Sequence, residues 1–223
     1  MNIPSKAERV KPPRRYTSTL RQSQAAATRR AIVDAALTVF LEHGYVGATM
    51  NQIARSAGVV VETIYRSFDG KPGLFKAAVE AAIAGGSARA DRPAEERPAI
   101  RAVVDEPDPR RKLELYAATQ PGIHRRLGPL YRIVAEAAAV QPELLDVWNE
   151  LETQRLNGMA RFAQHLADTG ALGGDISVEE ARDVLWTINS HAVHRMLVIE
   201  RGWAPERYRN WLARTLASAL LDR

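Results

Sequence analysis

The stretch "AGVVVETIYRSFDGK", residues 57–71, follows directly on "TMNQIARS", residues 49–56. Each segment has the length and apolar spacing of a short helix, and Gly58 sits at the junction. A glycine there permits the positive φ that a tight turn between helices needs. Ala54 is small enough for the two helices to touch, and Ile53, Val59, Ile64 and Phe68 supply apolar anchors behind an outer face. Thr49 suits the N-cap of the first helix, because its hydroxyl can accept from a free backbone amide. These features at these spacings predict a helix-turn-helix, whose second helix enters the DNA major groove. An ordinary antiparallel helix pair would not require them.

Stepping along the second helix at roughly 100° per residue turns Ile64 and Phe68 to the core. Glu62, Thr63 and Arg66 face away, and Val61 and Tyr65 flank the boundary. The outer edge is therefore poor in positive charge for a DNA reader. The first 30 residues hold eight lysines and arginines against Glu8 alone, although the whole chain carries only +5. Pro4, Pro12 and Pro13 and the lack of apolar periodicity predict that residues 1–20 form a disordered basic arm. Such an arm serves either as a solubilising tail or as a phosphate contact.

Outward from the motif the sequence predicts helices only. Ile32, Ala35, Ala36, Val39 and Phe40 form one apolar face over residues 21–43, and Gly44 ends that helix. A fourth helix spans residues 71–84. "GGSARADRPAEERP" and "DEPDP" mark residues 85–109 as a linker, with a short helix around 99–104. Further helices follow at 110–119, 123–140, 142–169, 178–201 and 205–221, separated by "QPG", "QP", "GALGG" and "GWAP". No segment alternates with period two. The fold class is all-α: an arm at 1–20, a helix-turn-helix domain with connecting helix at 21–84, a linker at 85–109 and a second helical domain at 110–223. The 223-residue chain, 46% hydrophobic, is large enough for this and has no cysteine, which fits a reducing cytoplasm. No signal-peptide core and no apolar run of roughly 18 residues is present, so no membrane association is expected.

The text "RRAIVDAALTVFLEHGYVGATMNQIARSAGVVVETIYRSFDGKPGLFKAAV", residues 29–79, resembles the TetR-like (tetracycline-repressor-like) transcriptional regulators. "EPDPRRKLELYAA", "LWTINS" and "ERGWAPERYRNWLA" are similar to one branch of that family, less specifically. The resemblance implies a three-helix DNA reader, a connecting helix, and a helical domain that binds a small effector and forms a homodimer. It also implies a repressor at a pseudo-palindromic double-stranded operator. The positions it brings to DNA are Val61, Glu62, Thr63, Tyr65 and Arg66; Thr49, Val60 and Lys71 are further candidates on the DNA-binding face. Thr49, Tyr65 and Lys71 suit phosphates, and Arg66 a guanine edge or a phosphate. Val61 can pack on a thymine methyl, and Glu62 can accept from a cytosine amino group. Equally, Glu62 can be a solvated charge at a helix start, and Val60 and Val61 can pack on the preceding helix. Many family members carry Ser or Thr where Val60 stands, so this chain lacks that cap.

In the second domain Trp148, Met159, Phe162, Trp186, Asn189 and His194 are candidates either to line an effector pocket or simply to fill the core. By resemblance, Leu185, Ile188, Ala192, Trp211, Thr215 and Ala219 would build a four-helix dimer interface. His191 and His194 stand three apart, but without cysteine or a carboxylate pattern no metal site is expected, and no cofactor. No glycine-rich phosphate loop, His-Glu-x-x-His or nucleophile elbow is present, so enzyme activity is not expected. An architectural DNA binder would lack a pocket and sequence preference, and the aromatic-bearing second domain argues against it.

Overall fold

The computed structural model describes residues 14–137 and 140–221, with side chains from residue 20 onward. Among the described residues every regular element is helical, as expected from the absence of period-two patterning. The reader comprises α1 (Arg14–Gly47), α2 (Met50–Ala57), α3 (Val61–Ser67) and α4 (Gly70–Ala84). The apolar face of α1 buries Ile32, Ala36 and Phe40 completely, against Ile53 of α2, Ile64 of α3 and Leu74, Phe75 and Ala78 of α4. Phe40, Tyr45 and Phe75 form an aromatic triad, with Phe75 edge-on to the other two rings at 5.2 and 5.4 Å. Gly44 takes φ 67° inside α1, so the predicted stop is real. The chain then turns a further helical step to Gly47.

One boundary and one role differ from expectation at the N-terminal side. Residues 14–20, read as part of the arm, already belong to α1, and the remainder of the arm, residues 1–13, lies outside the described residues. Arg29 and Arg30, counted with the basic cluster, are used internally. The Arg29 guanidinium donates to the Ser67 carbonyl at 2.7 Å and lies 4.2 Å over the Phe68 ring, and Arg30 pairs with Asp91 at 3.5 Å.

The segment read as a linker is folded onto the protein. It forms α5 (Ser87–Ala90), a 3-10 turn (Ala94–Glu96) and α6 (Pro98–Asp105). The buried Lys112 ammonium fastens it, donating to the carbonyls of Val103 at 3.0 Å and Val104 at 2.9 Å while lying 2.9 Å from His165 Nε2. These carbonyls end α6, where unsatisfied acceptors favour a cation.

Residues 109–137, expected to break at "QPG", form one helix, α7 (Pro109–Ala137), with Pro121 and Pro129 inside it. A proline in a helix interior removes one backbone bond and crowds the preceding turn. Side chains add hydrogen bonds on that turn: Thr119 Oγ1 donates to the Tyr116 carbonyl at 2.7 Å, and Gln120 Nε2 donates to it at 3.3 Å. Burial of Leu113, Ala117 and Leu130 on both sides of Pro121 holds the helix in line. The fold continues with α8 (Pro142–Asp168), α9 (Val178–Ile188), α10 (His191–His194), a π-helical segment (Arg195–Glu200) and α11 (Pro205–Leu220). The single helix predicted over 178–201 is thus divided. Ser190 caps α10 by accepting from the Val193 amide at 3.2 Å.

Apolar side chains gather in two clusters that do not follow the predicted domain limits. The reader's cluster includes Leu127, Leu130, Ile133, Val134 and Ala137 of α7 and Leu144 and Leu151 of α8. The second holds Leu113, Tyr116 and Ala117 of α7 with Leu185, Tyr208, Leu212 and Leu216.

Candidate nucleic-acid interface and effector site

Helix α2 begins with a complete capping box. Thr49 Oγ1 accepts from the Gln52 amide at 3.2 Å, and Gln52 Oε1 accepts from the Thr49 amide at 2.8 Å. The Thr49 hydroxyl also donates to Gln52 Oε1 at 2.7 Å, so the side chain expected to meet phosphate is engaged in the cap. Gly58 adopts φ 68°, and its turn is closed by the Val59 amide donating to the Ala54 carbonyl at 3.0 Å. Ala54 is 3% exposed, which is the close approach that its small side chain allows.

On α3, Ile64 and Phe68 are buried while Val60, Glu62, Tyr65 and Arg66 are exposed. Val61 and Thr63 are half-buried, and Val61 packs on the reader's core. Val60 is 65% exposed and is the N-cap of α3, with no side-chain bond to the helix amides. Val60→Ser should therefore add an amide acceptor without removing packing. The expected gain is a few tenths to about 1 kcal/mol, read as a higher denaturation midpoint; an unchanged or lower midpoint would refute the capping assignment.

Lys71 departs from expectation. It lies in the first turn of α4, half-buried, with Nζ 4.6 Å over the Tyr45 ring. Burial lowers its pKa, opposed by Glu143, so its charge is partly turned toward the fold. The shallow groove between α2 and α3 is lined by Asn51, Arg55, Val60 and Glu62 among others. Asn51 and Arg55 are exposed polar groups beside the reading edge that the sequence did not single out. Their signal was available: the two are four apart on α2, share one side of it, and point away from Ile53.

In the second domain, polar and aromatic side chains converge on α7. Asn189 is 6% exposed; its Nδ2 donates to Tyr116 Oη at 2.7 Å and to Gln120 Oε1 at 2.9 Å. Its Oδ1 lies 3.1 Å from His124 Nε2. Tyr116 in turn donates to Met159 Sδ at 3.3 Å and meets the Phe162 ring at 5.0 Å. His124 stacks on His194 at 4.6 Å, and His191 stacks on Tyr131 at 3.9 Å, which meets Trp148 edge-on at 4.2 Å. Asn189, His194, Met159, Phe162 and Trp148 thus form one connected array.

Trp186 does not join it. That residue is 36% exposed, covered by the Arg155 guanidinium at 4.6 Å, and Arg155 also donates to its carbonyl at 2.9 Å. Leu185, assigned to a dimer face, is fully buried within the chain's own core, so it is not available to a partner. Tyr116, Gln120, His124 and Tyr131 were missed. Tyr116, Gln120 and His124 recur every four residues on one helical face, but a helix break read at "QPG" hid the pattern. Burial holds the His124 imidazole down to about 3, helped by the neighbouring histidines and opposed by its bond to Asn189. It also holds His191 down to about 4 and lowers His194. Desolvation pushes Tyr116 up to about 12. The array is uncharged at neutral pH.

An all-helical chain with a capped helix-turn-helix and an exposed second helix is of the DNA-binding regulator class. Residues 32–78 match the model of the bacterial regulatory proteins, tetR family. The matched region, 47 of the 223 residues, takes in the second half of α1, all of α2 and α3 and part of α4. Among relatives, it is 29% identical to the HTH-type transcriptional repressor BepR of Brucella suis over 188 residues, 82% of this chain and 86% of BepR. It is 46% identical over 55 residues to the HTH-type transcriptional regulator TtgW of Pseudomonas putida, covering 25% of this chain and 41% of TtgW. Among solved structures, FadR of Bacillus subtilis in complex with stearoyl-CoA superposes with a TM-score of 0.62 at 22% identity, covering 84% of this chain and 97% of that one. Among the described residues no helix is long and apolar enough to cross a membrane.

Proposed function

We propose that the chain is a ligand-responsive repressor that binds a pseudo-palindromic operator as a homodimer. The observation that carries this is the pairing of an exposed α3 edge with a rigid capped turn behind it. The similarity to BepR, which spans most of both chains, supports repression, and the FadR complex supports a helical domain of this shape holding a small molecule. Partly exposed side chains of α9 and α11, among them Ile188, Trp211 and Ala219, supply the dimer face.

Helix α7 is the route from effector to reader. Its Arg126 guanidinium donates to the carbonyls of Ala82 at 2.5 Å and Ile83 at 3.3 Å, in the last turn of α4. Lys76 of α4 also pairs with Glu150 of α8. A ligand that prefers one position of α7 therefore biases α4 and the spacing of two readers, and only that preference can shift the DNA-competent population.

On the reading edge, Tyr65 positions the protein on phosphate, while Val61, Glu62 and Arg66 read bases. Selection of bound DNA from a random pool tests this, with two variants separating the roles. Tyr65→Ala should weaken binding to all sequences about equally, because a phosphate contact carries no sequence information. A changed base preference would contradict that role. Glu62→Gln removes a charge that faces phosphates and can pair with adenine instead of cytosine. It should raise non-specific affinity and degrade one column in each half-site. An intact profile would leave Glu62 as a solvated charge. Failure to select any palindromic sequence would refute the function itself.

A further inference from the structure

We propose that His124, His191 and His194 form a three-imidazole site for a first-row divalent transition-metal ion of the zinc type. No metal site was expected from sequence, because neither cysteine nor a carboxylate pattern accompanies His191 and His194; the fold brings in His124 from α7, more than sixty residues away in the chain. One ligand nitrogen from each ring lies within 4.8 Å of the others. Zinc holds imidazole nitrogens at about 2.0–2.1 Å, which in a tetrahedral set places them about 3.3 Å apart.

The hydrogen bonding leaves the right atoms open. Nδ1 of His124, of His191 and of His194 is buried with no hydrogen-bond partner among the described residues. Buried polar atoms are nearly always partnered, so three open ones on adjoining rings need a common explanation. For His124 the tautomer follows from its neighbour. Asn189 spends its amide hydrogens on Tyr116 and Gln120, so its Oδ1 accepts, and His124 Nε2 must carry the hydrogen. Nδ1 then holds a lone pair. A metal-ligating histidine typically donates its other nitrogen to a carbonyl or carboxylate in this way, which fixes the ring. Tyr131 stacked on His191 and Tyr208 edge-on to His194 at 5.0 Å hold the other two rings.

Charge and donor type agree. Neutral imidazole is the state that binds metal. The charged groups nearby are internally balanced: Arg155 pairs with Glu152 at 2.9 Å, and Arg195 pairs with Glu200. Nitrogen donors without thiolate suit zinc, nickel, cobalt or copper(II) rather than copper(I). Three protein ligands leave a fourth position for water or a small anionic ligand.

The inference goes beyond the regulator reading and does not depend on it. The test is calorimetric titration of Zn2+ into the full-length, tag-free chain after dialysis against a chelator. One ion per chain is expected. His124→Gln, His191→Gln and His194→Gln should each weaken binding at least about tenfold, since even outer-shell changes cost that much. His43→Gln, at an exposed histidine far from the array, should leave it unchanged. Where a variant fails to fold, the wild-type chain loaded with Co2+ gives the same answer: three shifted imidazole N–H resonances are expected. No stoichiometric binding, binding indifferent to all three substitutions, or fewer than three such resonances would overturn the proposal. Operator selection reports separately on the regulator function, so the two can fail independently.

Discussion

Replacing Phe75 by alanine should destabilise the protein by about 4 kcal/mol and remove operator binding at ordinary temperatures. Phe75 is fully buried and touches both other rings of the triad, Phe40 and Tyr45, edge-on. Truncation removes the transfer free energy of a phenyl ring, leaves a cavity between α1 and α4, and deletes two aromatic pairs, each worth about 0.5–1.5 kcal/mol. Helix α4 is also the element through which α7 holds the reader, so the loss falls on the coupling as well as on the core. Phe75→Leu keeps most of the volume and should cost roughly half as much. Urea denaturation followed by circular dichroism measures both. A cost below about 1.5 kcal/mol for Phe75→Ala would mean that the triad collapses around the gap and is not a packed unit.

Asn189→Leu should cost about 3 kcal/mol, because it strands several buried polar groups at once. Gln120 Oε1 loses its donor and His124 Nε2–H loses its acceptor, while Tyr116 keeps only its bond to Met159. Each buried group left without a partner costs about 1–3 kcal/mol, more than the net value of the bond that was lost. Replacing one polar centre thus weighs more than any single contact in the array. The same denaturation measurement checks it. A near-neutral result would show that water enters and satisfies these groups, and that the array is wet in solution.

What could be read from sequence divides by the range of the interaction. The capping box at Thr49 and Gln52, the left-handed Gly58 and the apolar face of α1 are local, and each follows from residues within a turn or two. The reading edge is local as well, so the exposure of Glu62, Tyr65 and Arg66 was legible. Lys71 was not, because its position depends on the Tyr45 ring, which is placed by the aromatic triad. The polar array was hidden for two reasons. Its members come from α7, α8, α10 and the end cap of α9, and no pattern within one segment links His124 to Asn189. Pro121 and Gly122 also imitate a helix end, whereas tertiary burial and two side-chain hydrogen bonds carry the helix through them. The break at Asn189 and Ser190 had the opposite fate: a good capping serine was present, but continuous apolar spacing on both sides masked it.

The shared apolar cluster has a consequence for how such a chain can be recombined. Seven side chains from α7 and α8 complete the core behind the reader. A fragment ending after α4 would present that unfinished face to water, where an exposed contiguous apolar patch favours association. A chimera joined at residue 85 inherits the recognition helix of one parent and the supporting wall of the other. Transplanting this reader as a cassette therefore calls for co-transfer of the matching wall. The recognition helix and the sensor's long helix are expected to change together, as one heritable piece.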